Sequence, residues 1–225
     1  MIVPSAPAPP GAPVSLVIFD FDGTLGDTFP FLLSVFNELA RRYRFKPVAT
    51  HEIAALRHLT ARELLRHVGL SAWKFPFVTR AFLSMMKSRQ EGIRLFDGVA
   101  AMLAQLAHNG AVLAIVSSNS RDNIVATLGP HNAALISHFE CRASVFGKAS
   151  RLKRVLRSTG IAADDAIYIG DQSTDYDAAS AAGMAFGAVA WGYADIAALR
   201  RYTPAHEFAS VAELATLTIT APISP

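Results

Sequence analysis

The sequence predicts an α/β fold: a right-handed, doubly wound parallel sheet with a small all-helical insertion after its first strand. Three observations carry this. Short apolar runs at 16–19, 111–116, 166–169 and 184–190 alternate with helical patterns, as in a sheet whose strands are buried on both faces. The first three runs end in acidic or hydroxyl residues, and open α/β sheets place their ligands at such carboxyl edges. Between the first run and the second, residues 29–93 carry only helical spacing.

Leu16, Val17, Ile18 and Phe19 make the first strand, and Asp20 ends it. Side chains alternate in extended backbone, so Asp20 and Asp22 project to the same side. Two adjacent carboxylates repel each other, and either one holds a proton or a cation compensates both. The turn residues Gly23 and Thr24 follow instead of a basic neighbour, which makes a hard divalent cation such as Mg2+, with its preference for oxygen ligands, the expected resolution. Phe29, Leu32, Leu33, Phe36, Leu39 and Ala40 then recur at spacings of three and four, an amphipathic helix stopped by Pro47. Helical patterns over 51–59, over 61–68 and over about 78–91 complete the insertion. Thr60 and Glu63 form a capping box for the second of these; Gly69 closes it and Gly92 closes the third.

Asp97 and Gly98 open a helix with the buried stripe Val99, Met102, Leu103, Leu106 and Ala107, and Gly110 stops it. The strand over 111–116 delivers Ser117, Ser118 and Asn119 to the same edge as Asp20. A short helix over 123–128 breaks at Gly129-Pro130, and a loose stretch leads to Lys148 at the head of a helix that ends at Gly160. The strand over 166–169 ends in Gly170 and Asp171, and Asp175 returns four residues later on the first turn of the next helix. Two more acids at a strand end read as cation ligands; Asp177 is expected to be exposed. Gly183 closes that helix, a strand over 184–190 follows, and Trp191 and Tyr193 either border the site or pack at the domain edge. Two further helical pieces flank an edge strand near 207–208, and residues 219–225 read as a tail.

With 225 residues, 52% of them hydrophobic, the chain holds one large domain or one with a small insertion. Its one cysteine, Cys141, pairs with no other in the chain and reads as a small buried hydrophobe, so a cytoplasmic setting is expected. A net charge of +3 without blocks of like charge argues against a nucleic-acid partner, and Arg41, Arg42, Arg44 and Lys46 read as a solvated helix face. The N-terminus has prolines at 4, 7, 9, 10 and 13 and no signal-peptide pattern, so residues 1–13 read as an extended tail. No apolar run is long enough to span a bilayer, and no membrane role is expected. Oligomeric state is not legible.

The first motif, FDFDGTLGDT, resembles that of the haloacid dehalogenase-like (HAD) hydrolase superfamily, whose phosphatases carry Asp-x-Asp-Gly-Thr after an apolar strand. The resemblance implies that Asp20 is a nucleophile forming an aspartyl-phosphate and Asp22 the general acid and base. It also implies Mg2+ bound by the Asp20 carboxylate and the Asp22 backbone carbonyl. Gly23 and Thr24 join the phosphate-binding candidates. Ser117 matches the second motif, with Ser118 as the alternative and Asn119 as a further donor. Lys148 matches the third-motif cation, with Arg151 and Lys153 as fallbacks, although Ala149 and Ser150 stand where relatives often have Pro-x-Pro. Asp171 and Asp175 match the fourth motif, Asp171 as a direct Mg2+ ligand and Asp175 as a ligand or an orienting group for the metal's waters and Lys148.

The four motifs cover nearly all of residues 16–193 and imply a Rossmann-like HAD core, 14–28 with 94–218, under a helical cap, 29–93. His58, Arg62, Arg66, His67 and Lys74 are the cap's candidates for facing the site, and Trp73, Phe75 and Phe77 are expected in its own core. Within the helical-cap branch, FDFDGTLGDT and YIGDQSTDYDAASAAG are similar to the phosphoglycolate phosphatase-like group, for which this cap is short. The implied activity is Mg2+-dependent hydrolysis of a small phosphorylated metabolite, best matched by 2-phosphoglycolate. The alternatives are a phosphomutase, a catalytically silent binding module, or a phosphonatase using Lys46, Lys74 or Lys87 as a Schiff base. Asp22 argues against a dehalogenase, which needs no second acid there.

Overall fold

A computed structural model of the protein describes residues 13–89, 93–142 and 147–220. Its strands in chain order are β1 (Leu16–Phe19), β2 (Gly26–Asp27), β3 (Arg94–Leu95), β4 (Val112–Val116), β5 (His138–Glu140), β6 (Ala166–Gly170), β7 (Ala185–Val189) and β8 (His206–Phe208). All but β2 and β3 form one parallel sheet in the order β5-β4-β1-β6-β7-β8.

Alternation along each strand divides the core in two. Val17, Phe19, Leu113, Ile115, Ile167 and Ile169 face α5 (Val99–His108), α6 (Arg121–Ala134) and α10 (Val211–Leu214). Leu16, Ile18, Ala114, Val116, Ala166 and Tyr168 face α7 (Lys148–Thr159), α8 (Ser173–Ala182) and α9 (Ile196–Leu199). This is the doubly wound α/β sheet that the alternating pattern predicts.

The chain leaves and re-enters the sheet layer through an antiparallel ribbon, with Gly26 opposite Leu95 and Asp27 opposite Arg94. Between them lie α1 (Phe29–Tyr43), α2 (Ile53–Leu56), α3 (Ala61–His67) and α4 (Phe75–Ser88), which share an apolar cluster around Val35, Leu39, Val68 and Val78. The Thr60–Glu63 capping box forms in both directions. The first helix stops before Pro47, because Arg44 turns left-handed at φ 57° and its N–H caps Ala40. The last of the four starts earlier than its apolar spacing suggests, with Pro76 in its first turn, where the missing N–H costs nothing.

Other expectations are corrected. Trp73 and Phe77 are 68% and 58% exposed and touch each other edge-on; only Phe75 packs toward the helical cluster. The helix expected to end at Gly129-Pro130 kinks there, at Gly129 φ 72°, and resumes to Ala134. Proline at the start of the new segment needs no donor, so a stop signal also serves as a restart. The stretch expected to be loose contains β5, whose His138 and Glu140 hid it from an apolar-run criterion. Ile219 bridges Val14, and Thr220 donates to the Val14 carbonyl, so the expected C-terminal tail begins inside the fold. Residues 1–12 and 221–225 of the two expected tails, and Gly92, lie outside the described residues. Among the described residues no helix is long and apolar enough to cross a membrane.

Candidate active site

From β1 the chain proceeds to β4 and β5 on one side and then to β6, β7 and β8 on the other, so the strand order reverses beside β1. In open α/β sheets such a reversal is where ligands bind, at the carboxyl ends of the strands, here β1, β4 and β6. Asp20 follows β1, Ser117 to Asn119 follow β4, and Asp171 follows β6. Lys148 opens α7, and its ammonium reaches Asp20 Oδ2 and Asp175 Oδ1, both at 2.7 Å. The Phe21 N–H donates to Asp20 Oδ1 at 2.7 Å. Asp175 is held on both oxygens: Oδ2 accepts the N–H groups of Asp171 and Gln172, and Oδ1 accepts the Tyr168 hydroxyl besides Lys148.

Asp22 lies near enough to Asp20 to feel its charge. The Asn119 amide donates to its two oxygens at 3.0 and 3.1 Å and also touches Met86 Sδ of α4 at 3.2 Å. Asn119 is itself fixed, because its oxygen accepts Ser120 N–H and the Asn123 amide. Ser117 is fully buried and accepts the Asn119 N–H at 3.2 Å, so its own proton is the group left to donate; Ser118 is partly buried. Gly23 sits at φ +79°, and a Cβ there would overlap the Asp171 carboxylate, so only glycine lets this turn lie against it.

Burial dominates the electrostatics. It raises Asp20, a rise that Lys148 opposes and Asp175 reinforces. It raises Asp171 well above the carboxylate range, reinforced by Asp175 and Asp20. Asp22 is pushed up to about 7 by burial and then by the charge of Asp20, while hydrogen bonds from Thr28 and Asn119 work against the rise. Burial disfavours the Lys148 charge, but the two carboxylates outweigh it and hold the ammonium above its ordinary range.

These groups fit a divalent cation. Asp20, Asp171 and Asp175 each offer an oxygen within 4.8 Å of the others. Asp171 Oδ2 accepts the Tyr193 N–H at 2.6 Å, whereas its buried Oδ1 has no partner among the described residues. A buried carboxylate oxygen without a partner is costly, and an oxygen-seeking cation removes that cost. Each oxygen of Asp175 already accepts two hydrogen bonds, whereas each oxygen of Asp20 accepts one and Asp171 Oδ1 accepts none among the described residues, so Asp20 and Asp171 have the most capacity left for the ion.

A profile of haloacid dehalogenase-like hydrolases matches residues 17–189. The chain belongs to this family. It is 33% identical over 180 residues to a phosphoglycolate phosphatase of Synechococcus elongatus, covering 80% of this chain and 85% of the relative. It is 30% identical over 194 residues to the tyrosine-protein kinase PtkA of Mycobacterium tuberculosis, covering 82% of this chain and 65% of that protein. A HAD-like family hydrolase from Streptococcus pneumoniae shares the fold at a TM-score of 0.73 and 20% identity, covering 89% of this chain and 96% of the other.

The HAD-like fold brings Asp20, Asp22, Ser117, Asn119, Lys148, Asp171 and Asp175 to one edge, and leaves Asp177 exposed. The fallback Arg151 pairs with Glu140 at 2.9 Å, and Lys153 is exposed. Thr24 is buried with its hydroxyl unpartnered among the described residues, and its carbonyl accepts the Trp191 indole N–H. Tyr193 borders the site, with its hydroxyl 2.6 Å from Thr28 Oγ1. Its signal in the sequence is its place just beyond an apolar strand. The thiol of Cys141, half-buried, is pushed up to about 11 by burial.

A cavity of about 450 Å3 lies between the helices of the insertion and the α8–α9 side, lined largely by apolar residues such as Leu33, Ile53, Leu56 and Leu199. His58, Arg62, Arg66, His67 and Lys74 do not line it; Arg57, which the sequence reading passed over, does.

Asp22 has a measurable consequence for stability. Between its unfolded value of 3.8 and about 7, the folded chain keeps a proton that the unfolded chain gives up. Its contribution is therefore fully present below the unfolded value and is lost as pH rises through about 7. In EDTA, Asp22→Asn should melt several degrees above wild type at about pH 8 and level with it near pH 4, read by thermal melts across pH.

Proposed function

We propose that the protein is a Mg2+-dependent phosphatase that hydrolyses a small phosphate monoester through an aspartyl-phosphate on Asp20, with 2-phosphoglycolate the foremost candidate substrate. The observation that carries this reading is the pairing of Asp20, held by Lys148, with Asp22, whose carboxyl sits near neutral pH. A carboxyl at about 7 exists in both forms under working conditions and suits a residue that donates a proton in one step and takes one in the next. Asp20 attacks phosphorus in line, the bond to the ester oxygen breaks, and Asp22 delivers its proton to that oxygen. Asp22, now ionised, takes a proton from water as the water attacks the phosphoryl group, which frees Asp20 and inorganic phosphate.

Ser117 and Lys148 hold the phosphoryl oxygens, and Asp175 keeps Lys148 in place. Gly23, Thr24, Ser118 and Asn119 complete the phosphate-binding group, Asn119 chiefly by orienting Asp22. Asp20 and Asp171, with the Asp22 backbone carbonyl, would hold Mg2+, which would supply positive charge to offset that of the reacting phosphoryl group. Residues 29–93 act as a cap over the core of 14–28 and 94–218, excluding bulk water.

The Synechococcus relative, named for phosphoglycolate, supports the choice of first substrate. The phosphonatase alternative is disfavoured because each candidate ammonium is engaged by a partner other than Asp20 or Asp22: Lys46 pairs with Glu52, Lys74 donates to the Tyr43 carbonyl and Lys87 pairs with Asp122. Phosphate release from a panel of monoesters, including 2-phosphoglycolate, with Mg2+ or EDTA tests the reading. Release that needs Mg2+ is expected. A folded protein that binds Mg2+ yet releases phosphate from no ester overturns it, and release from a phosphonate alone reinstates the alternative.

A further inference from the structure

Asp171 owes its orientation to one hydrogen bond. Its Oδ2 accepts the Tyr193 N–H, and its other oxygen has no partner among the described residues. Tyr193 belongs to a segment without regular structure between β7 and α9, pressed so closely on Asp171 that a Cβ on Gly192 would overlap it. What holds that segment therefore holds Asp171.

Much of the hold comes from the helical insertion. Arg57 donates through Nε to the Tyr193 carbonyl at 3.1 Å and through Nη2 to the Gly192 carbonyl at 2.8 Å. Its guanidinium also lies over the Phe29 ring, 5.6 Å from the centroid, and Phe29 contacts the Tyr193 ring. Arg57 makes no ion pair among the described residues, so its charge is directed at these two carbonyls. Hydrogen bonds from a charged donor are roughly twice as strong as neutral ones. The backbone around Arg57 is docked separately, by Asp195 N–H on the Arg57 carbonyl and by Arg201 on the His58 carbonyl.

We propose that Arg57 is a positioning residue for Asp171: from the helical insertion it clamps Gly192 and Tyr193, keeps the Tyr193 N–H on the carboxylate, and so makes Mg2+ affinity depend on how that insertion is seated. The proposal rests on the reading of Asp171 as a metal-binding carboxylate. The group acts at one remove from the ion, where loss of an orienting contact typically weakens metal affinity 10–100-fold.

The test is Mg2+ titration calorimetry on wild type, Arg57→Ala and Arg57→Lys, with amide hydrogen exchange on the same metal-free proteins. Arg57→Ala removes the guanidinium and spares the two separate docking contacts. It should weaken Mg2+ binding about 10-fold, and Arg57→Lys, able to reach one carbonyl, should fall between it and wild type. Exchange over residues 191–195 should quicken in Arg57→Ala while β1, β4 and β6 stay protected. Mg2+ affinity within about two-fold of wild type in both variants, or unchanged exchange over 191–195, overturns the proposal. Should Arg57→Ala not fold, Arg57→Lys decides by the same two readings. A wild type that binds no Mg2+ overturns the metal reading along with it, which separates the two failures.

Discussion

On the proposed aspartyl-phosphate reading, Asp20→Asn is expected to lower phosphate release by about 10,000-fold or more, the scale expected when a covalent nucleophile is lost. The lone pair of an amide nitrogen is delocalised, and its oxygen is a far weaker nucleophile than a carboxylate. The local hydrogen bonding changes as well. Asp20 accepts from Phe21 N–H on one oxygen and from Lys148 on the other, so the amide NH2 must face one of these donors. Lys148 keeps Asp175, which preserves one buried ion pair, and the variant should stay folded by circular dichroism and thermal melting. Acid quench of wild type with a labelled ester should trap protein-bound phosphate that hydroxylamine releases, and the variant should trap none. Activity in Asp20→Asn within about tenfold of wild type would assign the nucleophile elsewhere.

Lys148→Met has the largest expected effect on stability. Lys148 and its two carboxylate partners are nearly inaccessible to solvent, at 3%, 4% and 0% side-chain exposure. Removing one member of a buried ionic group strands the others without compensation, at about 3–5 kcal/mol. For a chain of this length that corresponds to a fall in Tm of roughly 6–20 °C. The loss should shrink as pH falls, because Asp20 already leans toward its neutral form and protonation removes a stranded charge. Adding Asp175→Asn to Lys148→Met should recover part of the loss, and the coupling is read from a double-mutant cycle in denaturant. A melting temperature for Lys148→Met that matches wild type at neutral pH would show that the ion group contributes little.

Much of the site was legible because its signals are local. Period-two alternation puts Asp20 and Asp22 together at the end of β1, and an acid four residues after Asp171 falls on the first turn of α8 whatever surrounds it. Left-handed glycines close α7 and α8 where the sequence places Gly160 and Gly183. The strand β5 escaped because three residues with two polar side chains have no apolar signature; pairing to β4 makes them a strand. Trp73 and Phe77 were expected inside because aromatic residues usually pack, but the helices of the insertion bury their apolar stripe around Val35 and Leu39 instead.

The sequence by itself determined the class of fold, the order of its elements and the residues that reach the carboxyl edge, since each depends on periodicity and turn chemistry within a few positions. Only the tertiary structure decided which of those residues engage each other. Lys148 meets Asp20 across 128 positions and Asp175 across 27. Asn119 is directed at Asp22 across 97 positions and Arg57 at Gly192 across 135. Such contacts follow from the strand order and from how the helical insertion seats on the sheet, and packing of this range leaves no trace in local spacing.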